Sequence, residues 1–181
     1  MCQYYPGDVR AKPELVTKLC EMLWKLHKNP PTDGFIASGT VQTKVTILIL
    51  KLMENAGSVR AVNAKTGKLE SYDLALPCID VCSELSYKHA LPEVREGALS
   101  VLSAVSLEVK GKQKIQPSVV ASVLQLPHNQ TYVNKNTSTT YMHGMAVKLA
   151  QSCSEHPPFR VNLVRILTQK SLPGQKLLDE I

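Results

Sequence analysis

The sequence has little of what usually announces a chemistry. Its longest apolar run, Val45 to Leu50, is interrupted by Thr46 and bounded by Lys44 and Lys51. That is far below the roughly eighteen residues a membrane helix needs. Residues 1–6, Met-Cys-Gln-Tyr-Tyr-Pro, carry neither the basic region nor the apolar core of a secretory signal. Aromatics are scarce, with one Trp, two Phe and six Tyr, so a core has to be built mainly from Leu, Val, Ile and Ala. No Gly-x-Ser-x-Gly elbow and no family cysteine signature is present, which leaves nucleophilic catalysis without support. Thr66-Gly67-Lys68 is like the end of a phosphate-binding loop. Such a loop also needs a glycine five residues before its Gly-Lys pair and a hydroxyl after the lysine, and Val62 and Leu69 stand there instead.

Charge of one sign is missing too. The net charge is +6, but the excess is dispersed: eleven Lys/Arg against nine Asp/Glu over residues 1–90, and ten against six over 91–181. Two small basic clusters remain, Arg60 with Lys65 and Lys68, and Lys110 with Lys112 and Lys114. Neither interleaves with aromatics as single-strand nucleic-acid binders do.

Cysteine is present but not as a disulfide framework. The count is five, an odd number, and Cys20, Cys78, Cys82 and Cys153 fall on helical apolar stripes. Reduced thiols packed as small hydrophobes fit this best, pointing to an intracellular protein, cytoplasmic or nuclear. A zinc site would need two close ligand pairs facing one point. Cys78 with Cys82 and Cys153 with His156 have suitable spacing, yet buried apolar cysteines are the commoner reason for such a pattern, and no metal or cofactor is expected. His27 and His89 near helix C-termini have a structural reason in the helix dipole. Asn129 and Asn136 match the glycosylation acceptor pattern but read more simply as a polar loop.

What is there is helix. With 181 residues and 44% hydrophobic content, the chain suits one domain over 1–181, read as a piece of a larger protein. Residues 13–28 form a first helix, with Leu15, Leu19, Leu23 and Leu26 in one row and Val16, Cys20 and Trp24 beside it; Asn29-Pro30-Pro31 ends it. Residues 41–55 form a second, with Val41, Val45, Leu48, Leu52 and Met53 facing inward. Residues 58–72 are either a small β-hairpin turning at Gly67 or a basic, exposed loop.

The clearest segment is 73–109, two amphipathic helices hinged at Ala90-Leu91-Pro92. Leu76, Ile79, Cys82 and Leu85 mark the first; Val94, Ala98, Val101, Leu102, Val105 and Val109 line the second. A turn carrying Lys110, Lys112 and Lys114 follows. Shorter helices come next: 117–126 (Val119, Val120, Val123, Leu124), 139–155 (Tyr141 or Met142, Met145, Leu149, Cys153) and 159–169 (Val161, Val164, Ile166, Leu167). Residues 127–138 form an Asn/Thr-rich loop. Leu172-Pro173-Gly174 precedes a last helical turn.

A helix ending near Lys88, a short break, then Pro92-Glu93-Val94-Arg95-Glu96-Gly97-Ala98-Leu99 with Leu102 beyond resembles the second helix of HEAT and armadillo-type repeats. The likeness covers about one repeat, 73–109; the other helices match in length and stripe. It implies an all-α fold, an irregular α-solenoid of stacked antiparallel helix pairs, presenting an extended surface to another macromolecule.

The expected function is therefore a non-catalytic scaffold or adaptor that contacts a protein partner, with neither a membrane nor a small-molecule substrate involved. An acidic partner suits the loops carrying Arg60, Lys65, Lys68, Lys110, Lys112 and Lys114, which are the expected partner-binding residues. The alternative is a nucleic-acid-associated helical domain using the same lysines against phosphates.

Overall fold

A computed structural model of the chain describes residues 13–29, 40–58, 60–62, 69–71, 73–125 and 139–169. Proline and threonine set several of the starts. Helix α1 (Pro13–Lys28) opens on a proline, whose missing N–H costs nothing in the first turn. Helix α2 (Val41–Ser58) is capped by Thr40, whose Oγ1 accepts the Thr43 N–H at 3.2 Å. Strands β1 (Arg60–Val62) and β2 (Leu69–Ser71) pair antiparallel, Ala61 opposite Glu70. The expected turn at Gly67 lies outside the described residues. A 3₁₀ turn (Asp73–Cys78), with Pro77 inside it, leads into helix α3 (Ile79–Lys88).

Helix α4 (Pro92–Val105) again starts on a proline. Helix α5 (Val109–Lys114), helix α6 (Pro117–Leu124), helix α7 (Thr139–Ser154) and helix α8 (Pro157–Gln169) complete the described elements. Among the described residues no helix is long and apolar enough to cross a membrane.

Helix packs on helix in a regular way. The neighbours α1 and α2, α3 and α4, and α6 and α7 each pair. Across pairs, α1 meets α3 and α3 meets α6, while α2 meets α4 and α4 meets α7. Helix α8 then packs on α6 and α7. The core runs through all of these, from Leu23 of α1 and Met53 of α2, past Leu85, Leu99, Leu102 and Leu124, to Leu149, Leu163 and Leu167. Each fully buried Leu contributes about 1.5–3 kcal/mol by leaving water.

Several expectations change. The second helix of the hinged pair stops at Val105, not Val109, because the Leu107 and Glu108 N–H groups turn back to the Ala104 and Val105 carbonyls. Val109 instead begins α5 and is 68% exposed. The expected lysine turn is therefore a short helix, and Gly111 explains it. A Cβ there would run into the Val105 carbonyl oxygen, so only glycine lets α5 fold back onto the end of α4.

In α2 the inward face holds Thr43, Thr46, Ile49, Leu50 and Met53, whereas Val41 and Leu48 are 79% and 57% exposed. Thr46 can enter the interior because its hydroxyl bonds the Gln42 carbonyl at 2.9 Å. In α8 the buried row is Phe159, Leu163 and Leu167, spaced by four, leaving Val161 and Val164 outside. Helix α6 ends at Leu124, two residues before the expected end.

Two substitutions separate these effects. Gly111→Ala should destabilise the protein by about 1–3 kcal/mol, since backbone rather than a flexible side chain must yield. Gly144→Ala, inside α7 with nothing within 4 Å of the added Cβ, should stabilise by about 0.4–1 kcal/mol. Chemical denaturation of both variants checks the pair. Leu102→Asp, at a position with no exposure, should abolish the cooperative melt by placing an unpaired charge in the core.

Candidate partner-binding surface

The two faces of α2 are both apolar, for different reasons. Its inner face joins the core, with Leu50 lying against Gly97 of α4 so closely that a Cβ on Gly97 would stand 3.1 Å from Leu50 Cδ1. Its outer face repeats Val41, Val45, Leu48 and Leu52 at intervals of four, three and four. The pair Val45 and Leu52 is half-buried at the edge of the row, and Val41 and Leu48 stand open. Lys44 and Lys51, both exposed, run along one margin. The row was expected to face inward; the structure turns Val41 and Leu48 outward and leaves Val45 packed at the edge of the core.

At the N-terminal end of α2 the inner face opens into a cleft of about 180 Å³. Leu26 and His27 of α1, Thr40, Gln42, Thr43 and Thr46, and the end of α3 from Leu85 through Lys88 to Ala90 line it. Gln42 Nε2 donates to the Leu26 and Asn29 carbonyls at 3.0 and 3.2 Å, closing the end of α1. His27 Nε2 lies 3.2 Å from Glu84, and Glu84 lies 3.4 Å from Lys88. The Glu84 carboxyl sits below its ordinary range: burial opposes this, but the His27 hydrogen bond and the Lys88 charge outweigh it.

His89 faces His27 with ring centroids 6.5 Å apart. Its Nδ1 accepts the Leu91 N–H at 3.1 Å, so the neutral ring carries its proton on Nε2. Burial, then the neighbouring His27, push its pKa down. The cleft is thus a closed network of paired polar groups that fixes how α1, α2 and α3 meet. The residue pattern places His27 and His89 at helix ends, and the structure sets them opposite each other; Thr40, directly before α2, is the sequence signal for the cap.

Of the six basic residues, Arg60, Lys110, Lys112 and Lys114 fall in described elements. Arg60 opens β1; Lys65 and Lys68 lie outside the described residues. On α5, Lys112 pairs with Glu155 in the turn after α7 and is only 15% exposed. Lys114 Nζ donates to the Leu76 carbonyl at 3.3 Å. These two lysines tie α5 to the turn after α7 and to the 3₁₀ turn, so reversing their charge would disturb packing as well as any partner. Lys110 is exposed on the same short helix.

Cys78 and Cys82 are buried at the start of α3, and Cys153 near the end of α7 is buried too, its thiol pushed up to about 12 mainly by desolvation. Among the described residues no three His, Cys, Asp or Glu side chains are grouped to hold a metal ion. The thiols of Cys20, Cys78, Cys82 and Cys153 are free.

Comparison with family models, with curated proteins and with solved structures gives no match for this chain.

The cleft makes a pH prediction. An unfolded His89 takes up a proton near its ordinary value of 6.5, the folded one only at lower pH. The stability that neutral His89 contributes is therefore complete above 6.5 and is lost as pH falls below it. Glu84, which titrates lower, stays charged through the first part of that fall. Between about pH 7 and 5.5 the melting temperature should drop. In His89→Asn, whose Oδ1 can still accept the Leu91 N–H, the drop should be smaller. An equal drop in the variant, followed by calorimetry across the same range, would assign the dependence elsewhere.

Proposed function

We propose that this chain is a non-catalytic helical-repeat scaffold that binds another protein, with the outer row of α2 as its docking surface. The exposed row carries the reading. Val41 and Leu48 at 79% and 57% exposure continue through Val45 and Leu52 with the spacing that an amphipathic partner helix fits. Lys44 and Lys51 beside the row have no ion pair with another described residue, which favours a partner whose apolar face is edged by carboxylates.

Helix order supports the scaffold half of the proposal. Pairs α1/α2, α3/α4 and α6/α7, first helix against first and second against second, fit the stacking expected of an irregular armadillo- or HEAT-like α-solenoid. In such a stack the inner helix faces are committed to each other, and binding falls to an outer row. Free buried thiols suit a reducing, intracellular setting. A nucleic-acid reading through the lysines has less to stand on, since Lys112 and Lys114 are already engaged within the chain.

The test is a double variant, Val41→Asp with Leu48→Asp. Both positions are exposed, so the melting temperature should stay within a few degrees of wild type. Binding of the protein partner should weaken at least tenfold, about 1.4 kcal/mol. Parallel affinity purification with mass spectrometry identifies what the wild type holds and the variant loses, and titration of that partner measures the loss. Full-strength binding by the variant overturns the docking surface. Recovery of nucleic acid whose affinity collapses between about 50 and 200 mM salt overturns the scaffold reading.

A further inference from the structure

The contact of α1 with the 3₁₀ turn holds an arrangement that the docking surface does not use. Cys20 lies midway along α1, and Cys78 ends the turn and stands as the N-cap of α3 without a side-chain capping bond. Their sulfur atoms are 2.8 Å apart across 58 residues of sequence. That is closer than two non-bonded sulfurs ordinarily stand, and less than 1 Å beyond the roughly 2.05 Å of a disulfide. Both are free thiols. No large rearrangement separates the two states.

The two cysteines are not equivalent. Cys20 keeps 5% of its surface exposed, Cys78 none, so a small oxidant meets Cys20 first. The hydrogen bond from Cys78 holds the Cys20 thiol below its ordinary range, while the same bond and burial push Cys78 well above it. The charge of Lys114, whose Nζ is held at the Leu76 carbonyl, favours the thiolate at both sulfurs. This is the division between an attacking and a resolving cysteine.

We propose that Cys20 and Cys78 are a thiol-oxidation site that a peroxide converts to a disulfide. The Cys20 thiolate attacks one peroxide oxygen, the O–O bond breaks, and hydroxide leaves from Cys20 sulfenic acid. The Cys78 thiol then attacks the Cys20 sulfur, releasing water and forming the S–S bond. Two thiols lose two electrons, and the peroxide gains them. The product ties α1 to the start of α3 and encloses all of α2 in the loop. Helix α1 is then fixed to the stack by a covalent bond where it is otherwise held by packing and by the His27 and Gln42 hydrogen bonds.

The experiment uses the full chain, folded and reduced, exposed to hydrogen peroxide. Remaining thiols are alkylated in denaturant and the peptides mapped by mass spectrometry. Two of the five cysteines should be lost as one Cys20–Cys78 cross-linked peptide, with a melting temperature that rises by several degrees and returns on reduction. In Cys78→Ser, a 1,3-dicarbonyl probe should label Cys20 as the sulfenic acid; in Cys20→Ser it should leave Cys78 unlabelled. Five thiols still free after treatment overturn the proposal. So does a cross-link to Cys82 or Cys153, or oxidation of Cys20 to the sulfinic acid with Cys78 still free. The wild-type mapping decides the matter even where a serine variant folds poorly.

Discussion

Burial of α4 on nearly every side is the constraint from which the rest of the molecule follows. Val94, Arg95, Ala98, Leu99, Val101, Leu102, Ala104 and Val105 are all buried, a spread too wide for a single stripe. A helix like this is stable only if neighbours cover several of its faces at once. Helix α2 covers one, α3 another and α7 a third. Gly97 lets α2 come close, with Leu50 in the space a side chain would have filled. At its far end Ser106, nearly inaccessible, joins Ser152 of α7 through hydroxyl and carbonyl at 3.2 and 3.1 Å. One central helix thus fixes the positions of three others.

That enclosure leaves α2 with more apolar surface than it can bury. Its residues are hydrophobic on two sides, and α4 accepts only the side that ends in Leu50 and Met53. Val41 and Leu48 of the remaining row stay at the surface, while Val45 and Leu52 beside them are half-buried. The exposed row and the buried helix are consequences of the same packing choice. The cleft beside it, with Glu84 between His27 and Lys88, then sets the angle at which α1 meets the pair. Two turns earlier on the same face of α1, Cys20 stands against Cys78. Docking surface and thiol pair therefore share a scaffold while using different faces of it.

Much of the helical framework was legible in the residues, and the reason is local. Pro92 and Pro117 start α4 and α6, since proline fits the first turn and little else in a helix, and for the same reason Pro157 starts α8 two residues ahead of the expected 159. Apolar spacing of three and four marked α1 and α7 nearly end to end and the body of α3 and α4, whose outer ends at Asp73–Cys78 and after Val105 it overran, because that period is set within a single turn of backbone. The same spacing placed Leu23, Leu85, Leu102, Leu149 and Leu167 in the core, where they are. Even the β-branched run Val45 to Leu50, which favours strand on its own, is helical, since its length allowed α2 to reach its packing partner.

Tertiary structure alone decided which face of a helix is the inside. Helix α2 offers two apolar rows, and α8 places Val161 and Val164 beside Phe159 and Leu163; periodicity cannot rank such rows, because the choice belongs to the neighbour's shape. Residues 110–114 read as a lysine turn because lysine and glycine suggest solvent. They are a helix because Gly111 fits under the Val105 carbonyl, a contact invisible before α4 has ended. The meeting of Cys20 with Cys78 across 58 residues is of the same kind. Local propensity writes the elements and their lengths; only the closing of distant surfaces on one another selects the faces they bury, the groups they bring together and the row they leave open.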